Sequence, residues 1–397
     1  MNKVVENIQR VIIFISGFST VAIVILIILF LFKYGFSFIG SKPVSEPISV
    51  ITSSDIKLKS LKSEEILKIF DGDITNWNQI GGENKEIQIA NLDQIVANVT
   101  EEELGANMEN LPKYINLYFS TNQYVISYLP QEYIKKDFPG SIIELKNIGV
   151  SDIVGKKWLP TASPLPQFGM MPLILGTFLV SILGILIAIP LSLMVAIYLA
   201  EIASLRVKNI IKPLIELLAG IPSVVYGFFG LVVIVPLVQK TFGLDVGETA
   251  FTGSIILATM ALPTIITITE DSLTSIPKEL RESSYALGAN KWQTIYKVLI
   301  PYASSGILSA IVLGIGRAIG ETMAILMVTG NAAIIPHSIF DSVRTIPATI
   351  AAELGEAPYE KLHFNALFTL GCVLFIITMA FNLLVNYIKD RNNKFLN

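Results

Sequence analysis

Six long apolar segments constrain the fold of this chain more than any other feature. They cover roughly residues 11–32, 172–200, 213–238, 250–270, 304–329 and 364–388. A helix of about 20 apolar residues crosses the hydrocarbon core of a bilayer. Only 15% of the 397 residues are charged, against about 25% in a soluble domain. The sequence therefore predicts an all-α polytopic membrane protein with six transmembrane helices.

The positive residues between these segments predict the orientation. If the N-terminus is inside, the cytoplasmic segments hold twelve lysines and arginines and the short external loops hold three, Lys240, Arg344 and Lys361. Cytoplasmic loops are enriched in such residues, so both termini should be cytoplasmic. No small-residue cleavage site follows the first segment, so residues 1–33 are interpreted as a retained transmembrane helix and not as a signal peptide.

Residues 34–165 have a different character. Polar residues alternate with short β-rich runs such as PISVITSS and QYVISYL, and SLKSEEILKIFDG favours an amphipathic helix. Ser63 is the expected N-cap of that helix and Gly72 its stop. The segment is therefore predicted to be an extracellular α/β domain inserted between the first and second membrane helices.

Several functional classes are excluded by composition. The single cysteine, Cys372, and two histidines, His337 and His363, allow neither a disulfide framework nor a cysteine- or histidine-rich metal site. The net charge of −3 gives no indication of nucleic-acid binding. The nucleotide-binding pattern G-x-x-x-x-G-K-[ST] does not occur, so no ATP hydrolysis is expected from this chain. We predict no catalytic residue, cofactor or metal ion.

Two charged residues interrupt the fifth apolar segment, in the stretch GRAIGETMAI at 316–325. On a continuous helix over 304–329, Arg317 would lie about 20 Å from the helix start, and Glu321 would share its face. One charge at the bilayer centre costs about 2.5–3.5 kcal/mol even on the most lenient scale. Because of this cost, we expect the pair to have a definite structural or functional role.

Two interpretations of Arg317 and Glu321 compete. They could form a structural salt bridge, although buried ion pairs are weak evidence for stability. They could instead line a polar pathway, because the planar guanidinium of arginine grips an oxyanion through two parallel hydrogen bonds. Glu321 would then hold Arg317 while the path is empty and weaken its grip on a bound anion. Glycines at 314, 316 and 320 would let a helix or a solute approach, and we favour the pathway.

Two further features lie on the expected cytoplasmic side: an acidic pair and a long loop. Glu270 and Asp271 close the fourth apolar segment and are expected to be solvated. The loop 272–303 is helix-like, broken by Gly288 and closed by Pro301. Its expected apolar face consists of Ile276, Leu280, Tyr285, Leu287, Trp292, Ile295 and Val298. Such a loop could lie on the membrane surface or dock on a partner protein, and its length with Tyr285 and Trp292 favours the partner.

This loop resembles the EAA loop of ABC-importer permeases. The resemblance rests on Glu282, Gly288 and the run V-L-I-P that ends at Pro301, with Ser283 and Ser284 standing where the family has two alanines. The stretches LLAGIPSVVYGFFGL and GRAIGETMAILMVTGN resemble the permeases of phosphate-specific importers, and the C-type subunit more than its A-type partner. The resemblance is strongest over 158–330.

The resemblance implies an ABC-permease core over 166–397, with five transmembrane helices and the coupling loop 272–303, in the plasma membrane. Implied partners are an A-type permease, two ATP-binding cassette subunits and an extracellular phosphate-binding protein, with phosphate as substrate. Arg317 and Glu321 match the pair taken to line the phosphate path. The residues expected to couple to the ATP-hydrolysing subunit are Glu282, Ser283, Ser284, Gly288 and Pro301.

Part of the insert, SLKSEEILKIFDGDITNWNQIGGENKEIQI, resembles a segment of phosphate-binding proteins. The insert has the length of one lobe only and lacks the Ser-Gly-Thr helix start that grips phosphate in that family. It is therefore interpreted as a degenerate lobe that docks the true binding protein or covers the outer mouth. Two other functions stay open: a permease for another oxyanion such as molybdate or sulfate, and a phosphate-sensing membrane receptor. The coupling loop argues against the receptor.

Overall fold

The computed structural model describes residues 3–43, 48–58, 60–97, 99–105 and 107–396. The chain divides into two compact units. The first holds residues 1–155, 159–169 and 358–366, and the second holds 156–158, 170–357 and 367–397.

The first unit contains the N-terminal helix α1 (Lys3–Phe38) and a small α/β domain. The strands are β1 (Ile48–Thr52), β2 (Ser60–Leu61), β3 (Gln88–Ile89), β4 (Val125–Pro130), β5 (Ser141–Leu145), β6 (Trp158–Leu159, of which Trp158 belongs to the second unit) and β7 (Gln167–Phe168). The helices are α2 (Ser63–Phe70), α3 (Leu92–Ile95), α4 (Glu101–Leu104), α5 (Leu111–Thr121) and α6 (Val150–Ile153).

The domain is built on a mixed sheet in the order β2-β5-β1-β4-β3. The central strand β1 is antiparallel to β4 and β5, whereas β2 and β3 pair in parallel with their neighbours. Successive side chains of a strand point to opposite faces. Val50 accordingly packs with Ile66 of α2 on one face, and Ile51 packs with Ile115 of α5 on the other. The predicted α/β character of this segment is confirmed.

The helix predicted over SLKSEEILKIFDG is present, with its start shifted by one residue. Lys62, not Ser63, is the N-cap, and its backbone N–H donates to the Glu65 carboxylate at 2.7 Å. Ser63 is the first helical residue and gives no side-chain cap. Gly72 follows the helix with φ +83°, as expected of a stop residue.

The second unit is almost entirely helical. Its helices are α7 (Met171–Ile197), α8 (Leu205–Ala219), α9 (Ser223–Phe229), α10 (Val235–Phe242), α11 (Ala250–Thr274), α12 (Lys278–Ala286), α13 (Lys291–Thr294), α14 (Ile300–Tyr302), α15 (Ser304–Gly320), α16 (Met323–Val328), α17 (Ile346–Glu353) and α18 (Leu362–Leu396), the last of which begins in the first unit. Wider π-type turns cover Tyr198–Ile202, Gly230–Ile234 and Ile295–Leu299.

Among the described residues, five helical stretches are long and apolar enough to cross a membrane: Gln9–Phe38, Met171–Ile202, Ser223–Phe242, Ala250–Thr274 and Leu362–Val385. A sixth candidate is the pair Lys291–Tyr302 and Ser304–Gly320, which is bent by 68°. The chain is therefore a multi-pass membrane protein with five or six spans, in agreement with the sequence.

The third predicted span is wrong as a continuous helix over 213–238. An amphipathic helix, α8, ends at Ala219, and the membrane helix begins only at Ser223. The break falls at Gly220–Ile221–Pro222, where proline has no N–H to donate to a preceding turn and biases the residue before it away from the helical region. Pro190 and Pro263, by contrast, lie inside continuous helices.

The core of the second unit lies between α7, α11 and α15. Ile185 of α7, Ile265 of α11 and Ala310 of α15 are buried together in one apolar cluster. A Cβ on Gly314 of α15 would lie 2.8 Å from Ile265, so the absence of a side chain sets how closely α15 approaches α11. Gly316 and Gly320 meet nothing within 4 Å and leave open space instead.

An ion pair connects the two ends of the short helix α17. Arg344 lies just before the helix and Glu353 is its last residue, and Nη1 donates to Oε1 at 2.6 Å. The indole Nε1 of Trp158 donates to both carboxylate oxygens, at 3.2 and 3.0 Å. Three donor contacts thus hold one carboxylate, which fixes α17 against the segment before α7.

Candidate functional site

The helix that carries Arg317 ends earlier than the sequence predicts. A continuous helix over 304–329 is wrong: α15 ends at Gly320, Glu321 has extended backbone angles (φ −68°, ψ 130°), and α16 starts at Met323. Glycine in a helix interior costs about 1 kcal/mol relative to alanine, and two glycines lie in the last five residues of α15. The helix therefore stops where its sequence is weakest.

The two charges suit this break better than they suit a continuous helix. Arg317 lies in the last turn of α15, where a cation stabilises the negative end of the helix dipole. Glu321 precedes α16, and its Oε1 accepts a hydrogen bond from the Ala324 N–H at 3.4 Å. An acid at that position stabilises the positive helix end. Each residue thus complements one of the two helix ends.

The predicted ion pair between Arg317 and Glu321 does not form in the part of the chain that the structure describes. With Glu321 in extended conformation, the spacing of four no longer places both side chains on one face. Arg317 is exposed in this chain and Glu321 is half-buried. The described residues give Arg317 no hydrogen bond or salt bridge, so its planar set of donors is available to an anion.

A second helix break adjoins the first. Tyr226 of α9 donates its hydroxyl to the Leu218 carbonyl at 2.9 Å, across the Gly220–Pro222 break. A Cβ on Gly227 would lie 2.7 Å from Met327 and 3.0 Å from Ala324, so α9 packs directly on α16. The half-helices that follow the two breaks, α9 and α16, are therefore packed against each other.

Broken helices at membrane depth are tolerated where they are buried in protein or line a polar cavity. Their free N–H and C=O groups and a nearby arginine provide the donors and acceptors that an ion needs when it leaves water. Arg317 and Glu321 could be singled out from the sequence, whereas Tyr226 and the geometry of the breaks could not. The sequence features that indicate the two breaks are the glycine and proline of GIP at 220–222 and the glycines of GRAIG at 316–320.

The loop 272–303 folds as two short helices joined at Gly288, and the predicted break is confirmed. The Gly288 N–H donates to the Tyr285 carbonyl at 2.9 Å, and the Ala289 N–H donates to the Ser284 carbonyl at 3.2 Å. This pair of bonds requires a left-handed residue after the helix, and Gly288 has φ +83°.

The predicted coupling residues have different environments in this loop. Glu282, Ser283 and Pro301 are exposed, whereas Ser284 is buried and shares a 2.9 Å hydrogen bond with the Thr294 hydroxyl. Ser284 therefore joins α12 to α13, and the exposed residues are the ones available to a partner.

The apolar residues of this loop do not share a single face, contrary to the sequence prediction. Ile276 and Ile295 are buried in an apolar cluster with Leu273 and Leu299, and Leu280 and Val298 pack against it. Tyr285, Leu287 and Trp292 point outward, and Leu287 is 89% exposed. The loop thus buries one part of its apolar residues and exposes the other.

Glu270 is not solvated, contrary to the expectation from sequence. Its side chain is 2% exposed and forms salt bridges with Lys208 and, at 2.5 Å, with Lys212 of α8. Lys212 also reaches the largely exposed carboxylate of Asp271 at 3.1 Å. Hydrogen bonding to Glu270, and secondarily to Asp271, raises the pKa of Lys212 above its usual value. The amphipathic helix α8 is thereby fixed to the C-terminal end of α11.

We expect Glu270→Gln to destabilise the protein strongly, because it leaves two lysine charges beside each other without a buried carboxylate. Breaking a buried ion pair costs about 3–5 kcal/mol. Asp271→Asn is the matched control, since its exposed side chain contributes at most about 1 kcal/mol. The measurement is the thermal unfolding midpoint of both purified variants in the same detergent. Equal unfolding midpoints would show that Glu270 does not stabilise the protein more than Asp271 does.

Comparison with known proteins places the chain among transport proteins. The family described as "Binding-protein-dependent transport system inner membrane component" matches residues 188–395. The probable ABC transporter permease protein YqgH of Bacillus subtilis is 45% identical over 246 residues, covering 61% of this chain and 79% of that protein. The phosphate transport system permease protein PstC of Mesorhizobium japonicum is 37% identical over 273 residues, covering 64% and 82%.

Among solved structures, an inward-facing MetNI methionine ABC transporter aligns with 56% of this chain and 94% of that chain, at 20% identity and a TM-score of 0.43. The family match covers the two helix breaks, Arg317 and the loop 272–303. The chain belongs to the family of binding-protein-dependent transport system inner membrane components, and it is a permease of an ABC importer.

Proposed function

We propose that this permease carries inorganic phosphate across the plasma membrane, past Arg317, in the manner of a C-type subunit. The observation that carries this proposal is the guanidinium of Arg317, which stands at a helix break without an internal partner among the described residues. The relatives named as phosphate transport permeases supply the substrate class.

The chemistry of Arg317 fits a tetrahedral oxyanion. Its planar fork donates two parallel hydrogen bonds to neighbouring oxygens and stays charged at every physiological pH. A transport site must also release its ion. Glu321 is four residues away in sequence on the far side of the break, and its carboxylate charge would weaken the hold on phosphate. The path thus combines one strong donor with one repelling charge.

The partners follow from the same assignment. A second, A-type permease would complete the pathway, two ATP-binding cassette subunits would hydrolyse ATP, and an extracellular binding protein would deliver phosphate. Both termini would be cytoplasmic and the α/β domain extracellular. The exposed Glu282, Ser283 and Leu287 would then contact an ATP-hydrolysing subunit, whose closure moves the coupling loop and drives alternating access.

Uptake of labelled phosphate tests the proposal directly. The whole operon is supplied to a host that lacks its own phosphate importers, with unlabelled sulfate and molybdate as competitors. We expect ATP-dependent uptake that excess unlabelled phosphate suppresses and the two competitors do not. Suppression by molybdate or sulfate would assign the permease to another oxyanion, and absence of uptake would contradict a transport role for phosphate.

The α/β domain is proposed to dock or orient the binding protein without binding phosphate itself. One cavity of this domain, of about 270 Å³, is lined by two acidic residues, Asp55 and Glu83, and by one basic residue, Lys57. Lys57 lies 3.7 Å from Glu83, so its charge is already offset. Such a cavity repels a phosphate anion.

Calorimetry on the isolated segment 41–165 provides the test, because this segment has its own apolar cores on both faces of the sheet. We expect no saturable heat when phosphate is titrated up to millimolar concentration. A micromolar dissociation constant would overturn this assignment. The thermal unfolding transition of the same sample controls for folding.

A further inference from the structure

Arg281, next to Glu282 on α12, makes four hydrogen bonds on the inward side of the coupling loop. Nε and Nη2 donate to Oε1 of Glu201 at 3.2 and 2.7 Å. Nη1 donates to the Ile276 carbonyl at 2.6 Å, and Nη2 donates to the Leu273 carbonyl at 2.7 Å. One side chain thus joins three elements: α12, the π-type turn that ends α7, and the inner end of α11.

This contact is buried and charged. The side chains of Arg281 and Glu201 are 18% and 8% exposed. Arg281 donates to the Leu273 carbonyl at the end of α11, which also accepts from the Ile276 N–H at 3.4 Å, and to the Ile276 carbonyl just beyond that helix. Its rigid planar fork serves both helices in one fixed geometry, which the flexible ammonium of a lysine cannot reproduce. Loss of the guanidinium would leave a buried carboxylate unpaired.

The apolar contacts of the same loop cannot fix its direction of movement by themselves. Leu273, Ile276 and Ile295 bury the inner side of the loop, but apolar burial is non-directional. Hydrogen bonds with the geometry of Arg281 act only over a narrow range of distance and angle. A displacement of α12 must therefore carry α7 and α11 with it or break these bonds.

The two helices that Arg281 joins are also those that position α15. Ile185 of α7 and Ile265 of α11 pack in the core cluster with Ala310, and Gly314 lies directly against Ile265. Arg317 lies one turn further along α15. A rigid connection from the exposed face of α12 to the helix of Arg317 therefore runs through Arg281, α11 and α7.

We propose that Arg281, paired with Glu201, is the positioning residue that converts movement of the coupling loop into movement of α7 and α11. The proposal rests on the proposed function, because it presumes an ATP-hydrolysing partner on the exposed side of α12. Under this proposal Arg281 affects the number of phosphate ions imported per ATP hydrolysed. It does not take part in docking, since the Arg281 side chain faces away from the exposed residues of α12.

The first test compares Arg281→Lys with Arg206→Lys in the complete transporter, reconstituted in vesicles with its binding protein. Arg206 is exposed at the start of α8 and offers the same substitution without a buried contact. Phosphate uptake and ATP hydrolysis are measured on the same vesicles. We expect Arg281→Lys to lower the phosphate imported per ATP by about tenfold, the effect of one lost charge-assisted hydrogen bond, while hydrolysis persists. Arg206→Lys should keep the wild-type ratio.

An equal fall of uptake and hydrolysis, with the ratio preserved, would show Arg281 to be a structural anchor only and would overturn the proposal. An unchanged ratio at full activity would overturn it as well. If wild-type vesicles hydrolyse ATP but import no phosphate, the proposed substrate fails, and the link is then judged by a measurement that needs no substrate.

That second measurement is the distance between two spin labels, at Glu279→Cys on α12 and Leu186→Cys on α7, in a Cys372→Ser background. Both labelled positions are exposed. With Arg281 present, we expect the same distance before and after trapping the ATP-hydrolysing subunits with ATP and vanadate, because the two elements move as one body. With Arg281→Lys the distance should change on trapping. A change of equal size with Arg281 present would overturn the proposal.

Discussion

Arg317→Gln is expected to lower phosphate uptake by roughly 100-fold while the protein still inserts in the membrane. Glutamine keeps a polar but shorter side chain and loses the charge and the parallel donors that grip an oxyanion. Hydrogen bonds to charged groups contribute about 1.5–3 kcal/mol, and each 1.4 kcal/mol corresponds to about tenfold. Because Arg317 has no internal partner among the described residues, the substitution leaves no buried charge unpaired, and stability should change little.

Two further variants make this result specific. Arg317→Lys keeps the charge without the planar fork, and we expect it to transport at an intermediate rate. Arg206→Gln removes an exposed arginine outside the pathway and should transport like wild type. Uptake of labelled phosphate is normalised to the amount of protein in the membrane. If Arg317→Gln takes up phosphate at the wild-type rate, Arg317 does not line the pathway. Family membership would then be the one remaining argument for phosphate as the substrate.

Gly288→Pro is expected to uncouple ATP hydrolysis from uptake and to lower uptake at least tenfold. Gly288 has φ +83°, whereas proline is fixed near −65°. Proline also removes the N–H that donates to the Tyr285 carbonyl and disfavours the backbone conformation of Leu287 before it, φ −80° and ψ 5°. The turn between α12 and α13 would be lost, and with it the arrangement of the exposed residues on both sides.

Gly288→Asn is the matched control, because asparagine tolerates the left-handed conformation and the site has nothing within 4 Å of an added Cβ. It should retain most of the uptake. Both variants are measured for uptake and for hydrolysis stimulated by the phosphate-loaded binding protein. Coupled uptake by Gly288→Pro would place the docking surface elsewhere on the chain. Loss of both variants from the membrane would point to an insertion defect instead.

The class of the protein could be read from sequence, because a run of about 20 apolar residues is long enough to cross a bilayer whatever its neighbours are. Four of the spans have bounds within a few residues of those expected, apart from longer ends of α1. Local chemistry likewise predicted the break at Gly288. Turn residues of this kind act through their own backbone and require no tertiary information.

The helix breaks were harder to predict, because hydropathy does not register them. LLAGIPSVV is apolar across the point where α8 ends, and AIGETMAI carries only one charge across the point where α15 ends. Whether a glycine or proline bends, ends or merely kinks a helix depends on what satisfies the freed backbone groups. Pro190 and Pro263 are accommodated inside α7 and α11, whereas Pro222 begins a new helix with Tyr226 bonded back to Leu218.

Sequence alone determined that this chain inserts in a membrane, carries a polar α/β segment and holds two charges within an apolar stretch, since these follow from composition along one dimension. The tertiary structure decided which charges are paired. It separated Arg317 from Glu321, buried Glu270 between two lysines from 58 and 62 positions away, and joined Arg281 to Glu201 across 80 positions. The physical reason is that an ion pair depends on distance in space, and packing of distant helices sets that distance.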